Sequence, residues 1–156
     1  MIGGGSGGMT ASKEAADAGK KVALFDHVRP SYQNTTWGIG GTCVNVGCIP
    51  KKLMHKASIV GEDIRESGAY GWSVKDVSHD WNALVENVQN HVRSLNFGYR
   101  VQLNQKKIKY FNAQAMLKDN HTIEFSKQGS EKVAYFTTTY CSGYYFCREY
   151  SHCGRW

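Results

Sequence analysis

Apolar positions recur at helical spacing through most of the first hundred residues and at strand spacing after them. Residues 10–18 are rich in alanine and include Lys13 and Glu14, which predicts a helix with Gly19 just past its C-terminus. Residues 21–25 (Lys-Val-Ala-Leu-Phe) read as a short buried strand, with Asp26 at its end. Ile49, Leu53, Ala57, Val60 and Ile64 fall on one face of a helix expected from Ile49 to about Arg65. After a glycine-punctuated turn at 67–71, Ser78 or Asp80 is placed to cap a second long helix. Its stripe is Trp81, Leu84, Val85, Val88, Val92 and Leu95, a core-packing pattern, and its end is expected near Gly98. Beyond Tyr99 the pattern predicts short strands at 100–103, 107–112, 114–117, 122–126 and 132–137. Asn104, Asp119-Asn120 and Gly129 separate them, as in a small antiparallel meander. Residues 27–42 read as a loop, and no internal repeat is present.

Composition narrows the class. A chain of 156 residues is one domain's worth. Its 41% hydrophobic and 21% charged residues describe an ordinary globule. No run is long and apolar enough for a membrane span, and with a glycine-rich start no signal peptide is expected. A net charge of +6 and a pI near 9.1 raise the question of nucleic acid. The basic residues are scattered and accompany no nucleic-acid motif, so no nucleic-acid partner is expected. The charge suits solubility and attraction to anionic ligands. Five cysteines, three of them within 141–156, do not form the even, spread framework of a secreted protein, and an intracellular location is expected.

Two motifs carry chemistry. The first is Gly3-x-Gly5-x-x-Gly8, weak by itself and strengthened by its downstream context. Glycine turn, helix, strand and the terminal acid Asp26 stand in the order of a dinucleotide-binding fingerprint. Glycine lets the backbone approach a pyrophosphate, the helix start offers N–H groups to it, and the carboxylate accepts from ribose hydroxyls. Only Met1 and Ile2 precede the glycines, so an incomplete first strand and a truncated chain are expected.

The second motif is the pair Cys43 and Cys48, with four residues between them and a helix starting just after Cys48. Pro50 suits the first turn of that helix. The helix start, helped by Lys51 and Lys52, is expected to stabilise a thiolate at Cys48. Thiol–disulfide exchange is the reading these features favour, and a structural bridge is the alternative. So short a loop does little to restrain an unfolded chain. His55 reads as an ordinary packed or surface residue. Cys141, Cys147, Cys153 and His152 invite a zinc reading, but the closely spaced cysteine pairs of structural zinc sites are missing, and no metal is expected.

Taken together, these segments resemble the FAD-binding part of the high-molecular-weight thioredoxin reductases, within the pyridine nucleotide–disulfide oxidoreductase family. The resemblance rests on Ile-Gly-Gly-Gly-Ser-Gly-Gly at 2–8, Thr35-Thr36-Trp37-Gly38, and Gly-Gly-Thr-Cys-Val-Asn-Val-Gly-Cys-Ile-Pro-Lys-Lys-Leu-Met-His at 40–55. It continues through His79-Asp80-Trp81, Val88-Gln89-Asn90-His91 and residues 94–100, and covers roughly 2–135. It implies an α/β fold, a partial Rossmann-like FAD-binding domain with a small meander at 1–137, followed by a divergent tail at 138–156. It implies an NADPH-dependent disulfide reductase in which Cys48 lies against the flavin and Cys43 is the interchange thiol. Gly3, Gly5, Ser6, Gly7 and Gly8 would line the pyrophosphate, and Asp26 would take the adenosine ribose. Thr42 and Lys51 would face the flavin side, with the backbone at Gln114 and Ala115 near the adenine. Thioredoxin as substrate, a homodimer and a mitochondrial location (cytoplasmic as the alternative) belong to the same resemblance. The family's NADPH domain, dimerisation domain and C-terminal redox pair are not matched, so a fragment without turnover, binding flavin or responding to redox state, is the second reading. A glutathione reductase relative is the third, disfavoured by the contexts of Trp37 and His55.

Overall fold

The computed structural model describes residues 1–28, 37–127 and 133–137. The tail at 138–156, with its cysteines and His152, and Thr35 and Thr36 lie outside the described residues. The elements are α1 (Ser6–Asp17), β1 (Ala23–Asp26), α2 (Gly41–Asn45), α3 (Cys48–Glu66), a 3-10 turn (Ser67–Tyr70), α4 (Trp81–Gln105), β2 (Lys109–Leu117), β3 (Thr122–Lys127) and β4 (Val133–Thr137).

The four strands form one sheet in the order β1-β2-β3-β4. β1 runs parallel to β2, whereas β2, β3 and β4 are antiparallel neighbours. The fold is therefore α/β, a partial Rossmann-like unit joined to a small antiparallel meander. β2 belongs to both. Its first half, through Asn112, pairs with β1, and from Ala113 it pairs with β3. The two strands expected at 107–112 and 114–117 are thus one strand that changes partners, because no turn-former interrupts it. The residues ahead of the glycines do pair. Ile2 bridges Phe25 in parallel, the Met1 amino group donates to the Ala23 carbonyl at 2.8 Å, and Gly3 N–H donates to the Phe25 carbonyl at 2.7 Å. β1 consequently has a neighbour on both edges, and Leu24 and Phe25 are fully buried.

Successive residues of a strand face opposite ways, and β1 uses both faces. Leu24 packs with Met9 of α1, Ile39, Leu103 and Ile108. Phe25 stacks on Phe111 at 4.9 Å, with Phe125 and Phe136 at 5.2 and 5.9 Å. Burying side chains of this size stabilises the fold by about 1.5–3 kcal/mol each.

α4 departs most from expectation. It does not end near Gly98, and no strand forms at 100–103; the helix continues to Gln105. The buried face runs Val88, Val92, Asn96, Leu103, with Tyr99 half-buried between the last two. Asn96 interrupts the apolar stripe as read from sequence, which hides its last turns. Leu103, 1% exposed, ties the extension to the core. Lys13 of α1 donates to Gln102 at 3.1 Å, and Lys106 pairs with Asp17. The helix closes with Lys107, not a glycine, in the left-handed conformation (φ 56°), and Ile108 N–H returns to the Leu103 carbonyl at 2.9 Å. At the other end Asp80 is the cap, accepting from Asn82 and Ala83 N–H at 2.8 and 3.1 Å. The predicted stripes are only partly covered: Trp81 is 58% and Val60 42% exposed.

Candidate functional site

The glycine segment turns sharply between the Met1–Gly3 stretch and α1. Gly3 has φ 103°, and a Cβ on Gly8 would lie 1.8 Å from the Gly3 carbonyl oxygen. Close packing of helix on loop thus demands glycine at position 8. Gly5 is the N-cap residue of α1, which carries no side-chain cap and no acid in its first turn. The first amides of the helix therefore face outward with their partial positive charge. Ser6 and Gly7 are exposed there, and the space beside Gly7 is open.

Asp26 closes the other side of this turn. The Gly4 N–H donates to its carboxylate, and a Cβ on Gly4 would lie 2.5 Å from Asp26 Oδ2. Gly4 is not among the expected site residues, since one glycine in a run of three is indistinguishable by sequence. Burial raises the Asp26 pKa, and the Gly4 hydrogen bond and His27 only partly offset it. Tyr110 is pushed up to about 12 by burial and then by the charge of Asp26, with the Arg100 guanidinium opposing. Arg100 lies 6.0 Å from the centre of the Tyr110 ring. Asn112 is the register partner of Asp26. Gln114 and Ala115 come next on the part of β2 that β1 no longer flanks, Gln114 exposed and Ala115 half-buried.

The cysteine segment meets the glycine segment directly. Gly40 N–H donates to the Gly4 carbonyl at 3.1 Å, and a Cβ on Gly41 would lie 2.8 Å from the Gly5 Cα. Gly40 and Gly41 both have positive φ, 130° and 72°. The segment expected to be plain loop up to residue 42 is helical from Gly41, and α2 carries Thr42 and Cys43. The Thr42 hydroxyl oxygen and the Trp37 indole nitrogen are buried without a hydrogen-bond partner.

Cys43 is half-buried, Cys48 exposed, and both are free thiols. The Cys43 thiol is held above the ordinary cysteine range, first by its hydrogen bond to the Cys48 side chain, then by burial and by the neighbouring sulfur's charge. The Cys48 N–H, the first amide of α3, is directed at the Cys43 sulfur, and this together with Lys51 pulls the other way. The positive features of the helix start thus act on Cys43. Lys51, Lys52 and His55 are exposed on α3.

Two asparagines absent from the expected site complete it. Asn45, 5% exposed at the end of α2, exchanges two hydrogen bonds with the Gly38 backbone at 2.9 Å each and donates to the Gly41 carbonyl at 2.7 Å. Asn96 donates to the Ile39 carbonyl at 2.8 Å and to Asn45 Oδ1 at 3.2 Å. Asn96 is not flagged by any local pattern, because it and Asn45 are 51 residues apart in sequence.

A cleft of about 490 Å³ lies elsewhere, between the end of α3 and Trp72. It holds neither motif. Among the described residues no group of three or more His, Cys, Asp and Glu side chains is placed to hold a metal. No helix among them is long and apolar enough to cross a membrane.

The family model described as pyridine nucleotide-disulphide oxidoreductase matches residues 1–143. Among curated proteins the chain is 52% identical to thioredoxin reductase SEP1 of Emiliania huxleyi, over 92% of this chain and 29% of that protein. It is 54% identical to thioredoxin reductase 2, mitochondrial, of Drosophila melanogaster, over 80% of this chain and 25% of that protein. It is 55% identical to a thioredoxin reductase of Plasmodium falciparum, over 83% of this chain and 24% of that protein. The chain spans about a quarter of the length of these relatives.

Proposed function

This chain belongs to the pyridine nucleotide-disulphide oxidoreductase family, and from that premise we propose that it is the FAD-binding, dithiol-bearing part of a thioredoxin reductase-type enzyme. The observation that carries the reading is the meeting of the two motifs. Gly4 and Gly5 touch Gly40 and Gly41, and two neighbouring thiols lie two and seven residues further on.

The residues present suit FAD. The uncapped start of α1, with Gly3, Gly5, Ser6, Gly7 and Gly8, would hold the pyrophosphate. Asp26 would accept from the adenosine ribose, and Gln114 and Ala115 would border the adenine. Thr42, whose buried hydroxyl has no partner, and Lys51 would lie toward the flavin. Bound FAD supplies a carrier that takes an electron pair from a reduced nicotinamide and delivers it to a disulfide. Cys48 is then the flavin-side thiol and Cys43 the interchange thiol. Toward substrate, the Cys43 thiolate attacks a disulfide to form a mixed disulfide and release one thiol. The Cys48 thiolate displaces the second, leaving Cys43–Cys48 oxidised by two electrons and the substrate reduced by two.

NADPH as donor, a thioredoxin-type disulfide as acceptor, a homodimer and a mitochondrial location (cytoplasmic as the alternative) belong to the same proposal. They draw on the names of the longer relatives and the resemblance of the motifs. The domain reading is a flavin-binding unit at 1–137 and a divergent tail at 138–156.

Absorbance spectroscopy tests this. The chain mixed with FAD and passed through gel filtration is expected to carry flavin bands with it. Reduction by a dithiol is expected to add a long-wavelength band, which Cys48→Ser abolishes and Cys43→Ser retains. A chain that elutes folded and colourless would overturn the cofactor assignment.

A further inference from the structure

We propose that Asn96 of α4 is a positioning residue for the Cys43–Cys48 pair and acts through Asn45. The proposal rests on the reading above, in which that pair cycles between dithiol and disulfide.

α2 is the element that holds Cys43, and it is weak by itself. It has five residues, no side-chain cap and no acid in its first turn. So short a helix does not hold its own shape or place, because nucleation is unfavourable and its few bonds do not repay it. Its seat comes from outside. The Asn45 carboxamide joins both ends of the segment, taking Gly38 N–H and giving to the Gly38 and Gly41 carbonyls. The Asn96 amide then fastens that unit to α4 through Ile39 and Asn45 Oδ1. Both side chains are buried, so losing these bonds leaves polar groups without water to replace them. Gly38 is shaped to this contact. A Cβ there would lie 2.2 Å from Asn96 Cγ.

What the seat controls is the geometry between the sulfurs. Cys48 starts α3, a helix of 19 residues, whereas Cys43 moves with α2. The link between them is tight at Gly47, where a Cβ would lie 3.0 Å from the Thr42 carbonyl and 3.1 Å from the Cys43 Cα. Any tilt of α2 therefore alters how Cys43 presents its sulfur to Cys48. Asparagine suits the task because it donates and accepts without titrating, so the seat is the same in either redox state and at any physiological pH.

The test is the exchange equilibrium of the full 156-residue chain with glutathione. Two thiols and one glutathione disulfide give one Cys43–Cys48 disulfide and two glutathione thiols; two S–H bonds and one S–S bond are exchanged for one S–S and two S–H. Samples equilibrated over stepped glutathione ratios are acid-quenched, alkylated and analysed by mass spectrometry of the peptide containing both cysteines. A thermal melt is recorded on each variant. Asn96→Leu is expected to shift the equilibrium constant by about ten-fold or more. Asn90→Ala, on the exposed side of the same helix, is expected to leave it unchanged. Asn96→Ser, smaller and still a donor, carries the same readout if Asn96→Leu does not melt cooperatively. Folded Asn96 variants with the wild-type equilibrium constant would overturn the proposal. So would loss of folding in both, which marks the amide pair as purely structural. A wild-type chain that never forms the disulfide instead sinks the redox reading itself.

Discussion

Asp26 shows how one side chain bears opposite demands. Its carboxylate accepts the Gly4 N–H, yet burial is the larger influence and raises its pKa. The folded chain therefore holds the proton more tightly than the unfolded chain. Stability from this site is full below the unfolded value, about 3.9, and is lost as pH rises through the raised folded value. Asp26→Asn removes that loss. It is expected to melt higher than wild type at pH 7, with the gap closing toward pH 4, and, on the proposed function, to bind FAD more weakly. Thermal melts at the two pH values and a flavin titration check both halves. A variant less stable than wild type at pH 7 would show that the Gly4 bond, not burial, dominates. Asp26 is legible in sequence because an acid ending a strand after a glycine turn is a local pattern. Gly4 and Asn96 are not, because each is defined by a contact with a distant segment.

At the scale of the element, the sequence marks the start of α4 correctly and its end incorrectly. Asp80 obeys the local chemistry of helix starts, and the effect of its loss is visible in advance. Asp80→Ala is expected to cost about 1 kcal/mol in urea denaturation. Gly98 misleads because glycine commonly stands just past a helix. Here it is interior to the helix, and nothing lies within 4 Å of where its Cβ would be. Gly98→Ala is therefore expected to stabilise the chain by about 0.5–1 kcal/mol. A destabilised Gly98→Ala would return the helix end to where the sequence pattern puts it. The reason α4 runs on is tertiary. Leu103 reaches the core under β1, and burial outweighs the propensity of one glycine.

The whole molecule leaves apolar surface open along one region. Tyr70, Trp72, Val74, Val77 and Trp81 are each between 49% and 78% exposed. Exposed apolar side chains of this size promote association. Sedimentation velocity of the isolated chain is expected to show larger species growing in between about 1 and 100 μM. The double variant Trp72→Ser, Trp81→Ser is expected to reduce them. A monomer throughout that range in both proteins would remove association from the picture.

By itself, the sequence determined the periodic helices apart from the end of α4, the buried strand at Phe25, the last strands of the meander and both chemical motifs, since each is encoded by neighbours within a few residues. The tertiary structure added the direct contact between the two motifs. Gly4 and Gly5 reach Gly40 and Gly41 because β1 and α1 bring the glycine turn back, and Asn96 of α4 bonds to Ile39 and to Asn45 of α2. Those contacts join segments tens of residues apart, and no local pattern of hydrophobic and polar residues records them.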